Sequence, residues 1–122
     1  MLERGREYPF EAVVDELRRI YTEQGARALE ADGGWCVYVR ESDIDQIDLD
    51  TMCYIDEYPD ITDDDEEILP EFILEKECEF AYRDEMLQDV VISALGRRAD
   101  ITNEELMEAI DYYDYYDTFM EV

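Results

Sequence analysis

The sequence predicts an α+β fold: a small, mostly antiparallel sheet of about three strands packed with three main helices. Three observations predict it. Apolar residues recur at helical spacing in three segments, within about 10–24, 84–95 and 102–119. Between the first and second of these lie three short runs rich in aromatic and β-branched residues, which read as strands. Hydrophobic residues make up 47% of the chain and aromatics 12%, enough to build a core although 38% of residues are charged. The predicted order is α-β-β-(α)-β-α-α, and 122 residues fit one domain spanning 1–122.

The first helix follows Pro9, a favourable early helical position. Phe10, Val13, Val14, Leu17, Ile20 and Tyr21 form its apolar face, and Glu11, Asp15, Arg18, Arg19 and Glu23 take the other. Gly25 is a natural stop. After Gly33-Gly34, the segment Trp35–Arg40 reads as a strand, and Thr51–Ile55 as a second. Between them, acids alternate with apolar residues over Glu41–Asp50, which reads equally as an acidic loop or an irregular strand extension. Residues 56–67 hold eight acids in twelve positions, with Pro59 among them, and should form an exposed loop. Pro70 and Glu71 open a short helix to about Lys76. Cys78, Phe80 and Tyr82 alternate with Glu77, Glu79 and Ala81, predicting a third strand with one apolar face. Asp84 then reads as an N-cap for the stripe Met86, Leu87, Val90, Val91, Ala94 and Leu95. Gly96 ends that helix, with Arg97 and Arg98 at its negative end. Thr102 and Glu105 have capping-box spacing, and Leu106, Met107, Ile110 and Tyr113 carry a last helix toward Phe119.

Charge bounds the function. Thirty-six acids face ten cationic residues and no histidine, a formal net charge of −26. A magnitude of roughly 2–8 is sufficient for the solubility of a small domain. Self-repulsion on this scale opposes the compact state, so so many acids imply a use, and the partner that fits is strongly basic. The distribution is uneven. Residues 1–40 carry net −2, residues 41–82 net −16 and residues 83–122 net −8. Direct nucleic-acid binding is excluded by phosphate repulsion, and anionic membrane surfaces are excluded likewise. No apolar run approaches the roughly 20 residues of a membrane span, and no secretory h-region follows the N-terminus. Cys36, Cys53 and Cys78 are odd in number, sparse and without a C-x-x-C, which fits reduced thiols in a cytoplasm. All three fall on predicted strands, where buried thiols are the ordinary expectation.

Without histidine there is no Ser-His-Asp triad and no Cys-His pair. The cysteine spacing gives no zinc signature, and no phosphate-cradling glycine motif is present. Asp43-Ile44-Asp45-Gln46-Ile47-Asp48 begins like an EF-hand loop. It fails at the sixth position, where Asp48 replaces glycine, and at the twelfth, where Tyr54 replaces glutamate. The expectation is a protein that is not an enzyme and that holds no cofactor or metal.

Two acidic segments are candidate interfaces with a basic protein. The first is Asp56, Glu57, Asp60, Asp63, Asp64, Asp65, Glu66 and Glu67, within the most negative third. Such a patch steers a basic partner and speeds association at low salt. The second lies in the C-terminal helix, where Glu108, Asp111, Asp114 and Asp117 recur every third residue beside two tyrosine pairs. Here Asp111, Tyr112, Asp114 and Tyr115 are the candidates. Helical carboxylates at that spacing lie about 5–6 Å apart and can stand in for backbone phosphates. Tyrosines beside them offer rigid contact area.

One ordered series of short motifs runs Trp35-Cys36-Val37, Asp50-Thr51-Met52-Cys53-Tyr54-Ile55-Asp56, Pro70-Glu71-Phe72, Cys78-Glu79-Phe80-Ala81-Tyr82 and Leu87-Gln88-Asp89-Val90-Val91. The series resembles a family of small acidic bacterial proteins of unassigned function, some of which look like immunity proteins encoded beside polymorphic toxins. It covers about residues 35–95. The resemblance implies a cytoplasmic bacterial protein that acts by binding another protein. The leading expectation is therefore an immunity or inhibitor protein whose acidic face occludes the basic cleft of a toxin domain, a nuclease first of all. The alternative is a phage-encoded nucleic-acid mimic that blocks a CRISPR complex or another DNA-binding defence protein. An ion-binding or chaperone-like acidic protein is a third class.

Overall fold

The computed structural model of the chain describes residues 2–121. The fold is α+β, and its main sheet has four strands rather than three. They are β1 (Glu7–Pro9), β2 (Cys36–Arg40), β3 (Met52–Asp56) and β6 (Cys78–Arg83), in the spatial order β1-β3-β2-β6, antiparallel throughout. A separate two-stranded hairpin pairs β4 (Asp60–Ile61) with β5 (Glu67–Ile68). The helices are α1 (Phe10–Gln24), α2 (Ala26–Ala31), α3 (Glu71–Glu75), α4 (Asp84–Arg97) and α5 (Asn103–Tyr116).

The sheet separates two clusters. On one face, α1, α4 and α5 pack over Val37, Val39, Cys53, Ile55 and Tyr82. On the other face, Cys36, Tyr38, Tyr54 and Cys78 meet Ile73 of α3, with Tyr58, Leu69, Phe72 and Phe80 closing the cluster. Four of the five β2 residues are therefore fully buried, which explains why this strand reads as a continuous apolar run. Burying each such side chain contributes about 1.5–3 kcal/mol. All three cysteines are free and buried within this sheet. Burial pushes the Cys36 and Cys53 thiols up to about 12, with Asp84 adding to the effect at Cys36 and Glu7 at Cys53.

The third strand departs from its predicted pattern. Tyr38 pairs with Phe80 but Val37 pairs with Tyr82, so a β-bulge at Ala81 changes the parity of β6. Cys78 and Phe80 face the small cluster, whereas Tyr82 enters the helix-covered core. There its ring lies 5.3 Å from that of Phe10. Strict alternation would have put all three on one face.

Two elements carry weak sequence signals. β1 is a three-residue edge strand, and Pro9, which has no N–H to give, suits an edge. In α2 only Leu29 is buried. The first-turn N–H groups of α1 are satisfied from outside the helix: Phe10 donates to the Thr51 carbonyl and Glu11 to that of Leu49, both at 2.8 Å. Those bonds hold the 44–51 segment against α1, while Ile44, Ile47 and Leu49 pack into the core. Residues Glu41–Asp43 form a short 3-10 turn, not a strand extension.

Other boundaries move by small amounts. Asp84 is the first residue of α4 and Arg83 its N-cap, and α4 runs through Gly96 to Arg97. The capping box of α5 is present, with Thr102 accepting from the Glu105 N–H and the Glu105 carboxylate accepting from that of Thr102. The helix ends at Tyr116, before Phe119, on Asp117 in the left-handed conformation.

Candidate protein interface

The first acidic segment is a hairpin, not a loop. β4 and β5 pair Asp60 with Ile68 and Ile61 with Glu67. Thr62 organises the tip. Its N–H donates to the Glu66 carbonyl at 2.9 Å, its carbonyl accepts from Asp65 at 3.0 Å, and its hydroxyl accepts from the Glu66 N–H at 3.1 Å. Asp65 sits in the left-handed region at φ 61°, where aspartate is among the few tolerated side chains. The hairpin thus presents Asp60, Asp63, Asp64, Asp65, Glu66 and Glu67, all exposed. Ile61, 69% exposed, stands among them. Among the described residues none of these six acids has a cation within salt-bridge distance.

Asp56 and Glu57 lie at the hairpin's root. Asp56 ends β3, half-buried, and its carboxylate accepts from the Glu57 N–H at 2.7 Å. The Glu57 carbonyl accepts from the Tyr38 hydroxyl at 2.6 Å, and its carboxylate lies 3.8 Å from Arg4. One residue on, the Tyr58 hydroxyl donates to Asp84. Asp84 is only 1% exposed. Its other donors are the backbone N–H groups of Gly34 at 2.7 Å, Trp35 at 3.5 Å and Glu85 at 2.7 Å. Gly34 makes its bond from φ 91°, a conformation that favours glycine. Burial, and then the bond to Asp84, push the Tyr58 hydroxyl well above its ordinary pKa. The root of the hairpin is therefore pinned to the sheet by the hydroxyl of buried Tyr38 and to α4 by that of half-buried Tyr58.

The second segment lies on α5. Leu106, Met107, Ala109 and Ile110 bury one side of the helix. Asp111, Asp114 and Tyr115 are exposed, and Tyr112 is half-buried. α5 packs on the helical face of the sheet, whereas Tyr58 and Leu69, at the two ends of the hairpin, pack on the opposite face. The structure does not bring the two predicted sets together.

It brings other acids to α5 instead. Glu104, Glu108 and Asp111 line an open groove of 530 Å³ with Glu11, Asp48 and Asp50, floored by Pro9, Leu49 and Met107. Partial burial, then Asp48 and Asp114, raise the Asp111 carboxyl above its ordinary pKa. Partial loss of hydration raises Asp114 as well. Glu11, Asp48 and Asp50 escaped the sequence reading as neighbours of α5, and Glu104, in the first turn of α5, escaped it as part of this groove. The available signal was the acid–apolar alternation of 44–50, whose isoleucines and leucine turn inward and leave the aspartates out. Among the described residues, no three acidic or thiol side chains converge closely enough to hold a metal ion, and no helix is long and apolar enough to cross a membrane.

Fold and surface together define a strongly acidic α+β protein with two carboxylate-rich surfaces rooted on opposite faces of one antiparallel sheet. The chain belongs to the family described as "Domain of unknown function (DUF7716)", whose model matches residues 16–122. That match takes in α5 and most of α1, beyond the 35–95 span of the resemblance noted above. No curated protein and no solved structure matches the chain.

Proposed function

We propose that this protein is a cytoplasmic binding protein that inhibits a basic partner, and that the partner is a toxin nuclease held silent in the cell that produces it. The observation that carries the reading is the hairpin. Six exposed carboxylates, without salt-bridge partners among the described residues, stand on a hairpin whose tip is ordered by Thr62. The root of that hairpin is fixed by the Tyr38 and Tyr58 hydroxyls. Preorganised charge lowers the cost of ordering on binding. A nuclease cleft is lined with cations that engage phosphates, and a fixed array of carboxylates competes for those cations without any catalytic group.

The spacing of Glu108, Asp111 and Asp114 along α5 favours a second reading, a phage-encoded nucleic-acid mimic that occupies a DNA-binding defence complex. The two readings share their physics and differ in the partner. The test is capture of the partner on tagged protein from nuclease-treated host lysate, with parallel capture on the variant Asp63→Lys, Asp64→Lys, Glu66→Lys, Glu67→Lys. A single basic polypeptide that degrades nucleic acid alone and is inactive in the complex is the expected result, with affinity reduced by a factor of about 100 or more in the variant. A multi-subunit nucleic-acid-guided complex would select the mimic. Equal affinity for wild type and variant would overturn the hairpin assignment.

A further inference from the structure

The C-terminal turn of α5 carries an aromatic patch that the core does not use. Tyr115 is 81% exposed and Tyr116 58%, and Phe119, beyond the helix end, is 42% exposed. The rings support one another. Tyr112 and Tyr116 have centroids 4.5 Å apart, and Tyr115 meets Tyr116 edge-on at 4.7 Å. Residues four apart on a helix are neighbours, so Glu108 lies one turn below Tyr112 and Asp111 one turn below Tyr115. The patch is thus a set of mutually braced aromatic faces with carboxylates along its border.

We infer that this patch receives arginine side chains of a cationic partner segment, the guanidinium lying on a tyrosine face while Glu108 or Asp111 accepts its N–H donors. The inference rests on the reading of the protein as a binder of a basic partner and assigns a chemistry to its second surface. Charge selects the occupant. A second copy of the chain would bring net −26 against net −26, and a neutral apolar segment would leave the bordering carboxylates desolvated without compensation. Arginine satisfies both halves of the surface, because its planar guanidinium stacks on aromatic rings and also presents a fork of donors to carboxylates. Lysine, a compact and strongly hydrated point charge, matches only the acids. The tyrosines lose few rotamers on binding, since they are already braced.

The experiment uses the whole protein and two probes: a short glycine-serine peptide bearing arginines, and its lysine counterpart of equal charge. Affinities are measured for wild type, for Tyr115→Ala with Tyr116→Ala, for Tyr115→Phe with Tyr116→Phe, and for the four-lysine hairpin variant. The substituted tyrosines are exposed, so the fold is retained. Wild type is expected to bind the arginine peptide at least about fivefold more tightly than the lysine peptide. The alanine variant should lose that preference, and the phenylalanine variant should keep it. The hairpin variant should keep it too, so failure of the hairpin assignment leaves this result standing. Equal affinity of wild type for the two peptides would overturn the inference. So would a preference that survives in the alanine variant, or self-association of the protein through the same tyrosines.

Discussion

Asp84 joins parts of the chain that are distant in sequence. One buried carboxylate takes the Tyr58 hydroxyl and the N–H groups of Gly34, Trp35 and Glu85. Asp84→Asn removes the charge and turns an amide N–H₂ toward one of these donors. The expected cost is about 2–3 kcal/mol, measured by urea unfolding. Tyr58→Phe should cost less, about 1–2 kcal/mol, and should release the hairpin root without disturbing α4. In the sequence Asp84 reads as a simple helix cap. Its four donors come from three separate segments, and residue spacing along the chain cannot show such a meeting. Asp111 gives a prediction of opposite sign. Its folded pKa is raised by partial burial and by Asp48 and Asp114, so the folded state holds the proton more tightly than the unfolded chain does. Its ionisation therefore opposes folding at neutral pH, and that penalty fades as pH falls through the raised value. Asp111→Asn should stabilise the protein at pH 7, with a gain that shrinks as pH approaches the ordinary carboxylate value of 3.8. Thermal unfolding of wild type and variant across pH 4–7 checks both the sign and the window.

At the scale of elements, β6 shows how one residue redirects packing. The bulge at Ala81 puts Tyr82 into the helix-covered core and leaves Phe80 in the small cluster. Deleting Ala81 should remove the bulge and make Phe80 and Tyr82 consecutive, so that strict alternation keeps them on opposite faces and Tyr82 stays opposite Val37, packed on Phe10. Tyr82→Ala, by contrast, should lose a buried aromatic at a cost of about 3–5 kcal/mol, so urea unfolding monitored by circular dichroism should show a much lower midpoint for the truncation than for the deletion. The long helices and the three longer strands were legible, because α1, α4, α5 and β6 carry a periodic apolar pattern and β2 and β3 read as runs of aromatic and β-branched residues. β1 and α2 were not, since three and six residues are too few to establish a period. The acidic hairpin was hidden for another reason. Its strands are two residues long and fully exposed, so no apolar face marks them, and pairing there depends on the Thr62 turn. The acids were visible as a run, but the groove that sets Glu11, Asp48 and Asp50 beside α5 depends on backbone bonds from Phe10 and Glu11 to the 49–51 segment.

For the whole molecule, a net charge of −26 acts on stability and on binding in opposite directions. Salt screens the internal repulsion, since the Debye length falls from about 30 Å at 0.01 M to about 3 Å at 1 M. The midpoint of thermal unfolding should therefore rise with salt, and scanning calorimetry across that range would measure it. Association with a basic partner should weaken over the same range. On the proposed reading, the two acidic surfaces, rooted on opposite faces of the sheet, hold cationic groups in distinct ways: through carboxylates on the hairpin, and through carboxylates with tyrosines on α5. The most direct test of the central claim is the affinity of the captured basic partner for wild type and for the four-lysine hairpin variant, titrated across salt concentrations. Binding to wild type should be tight and steeply salt-dependent, with both the affinity and the slope reduced in the variant. A variant that binds the partner with the same affinity and the same slope would contradict that claim.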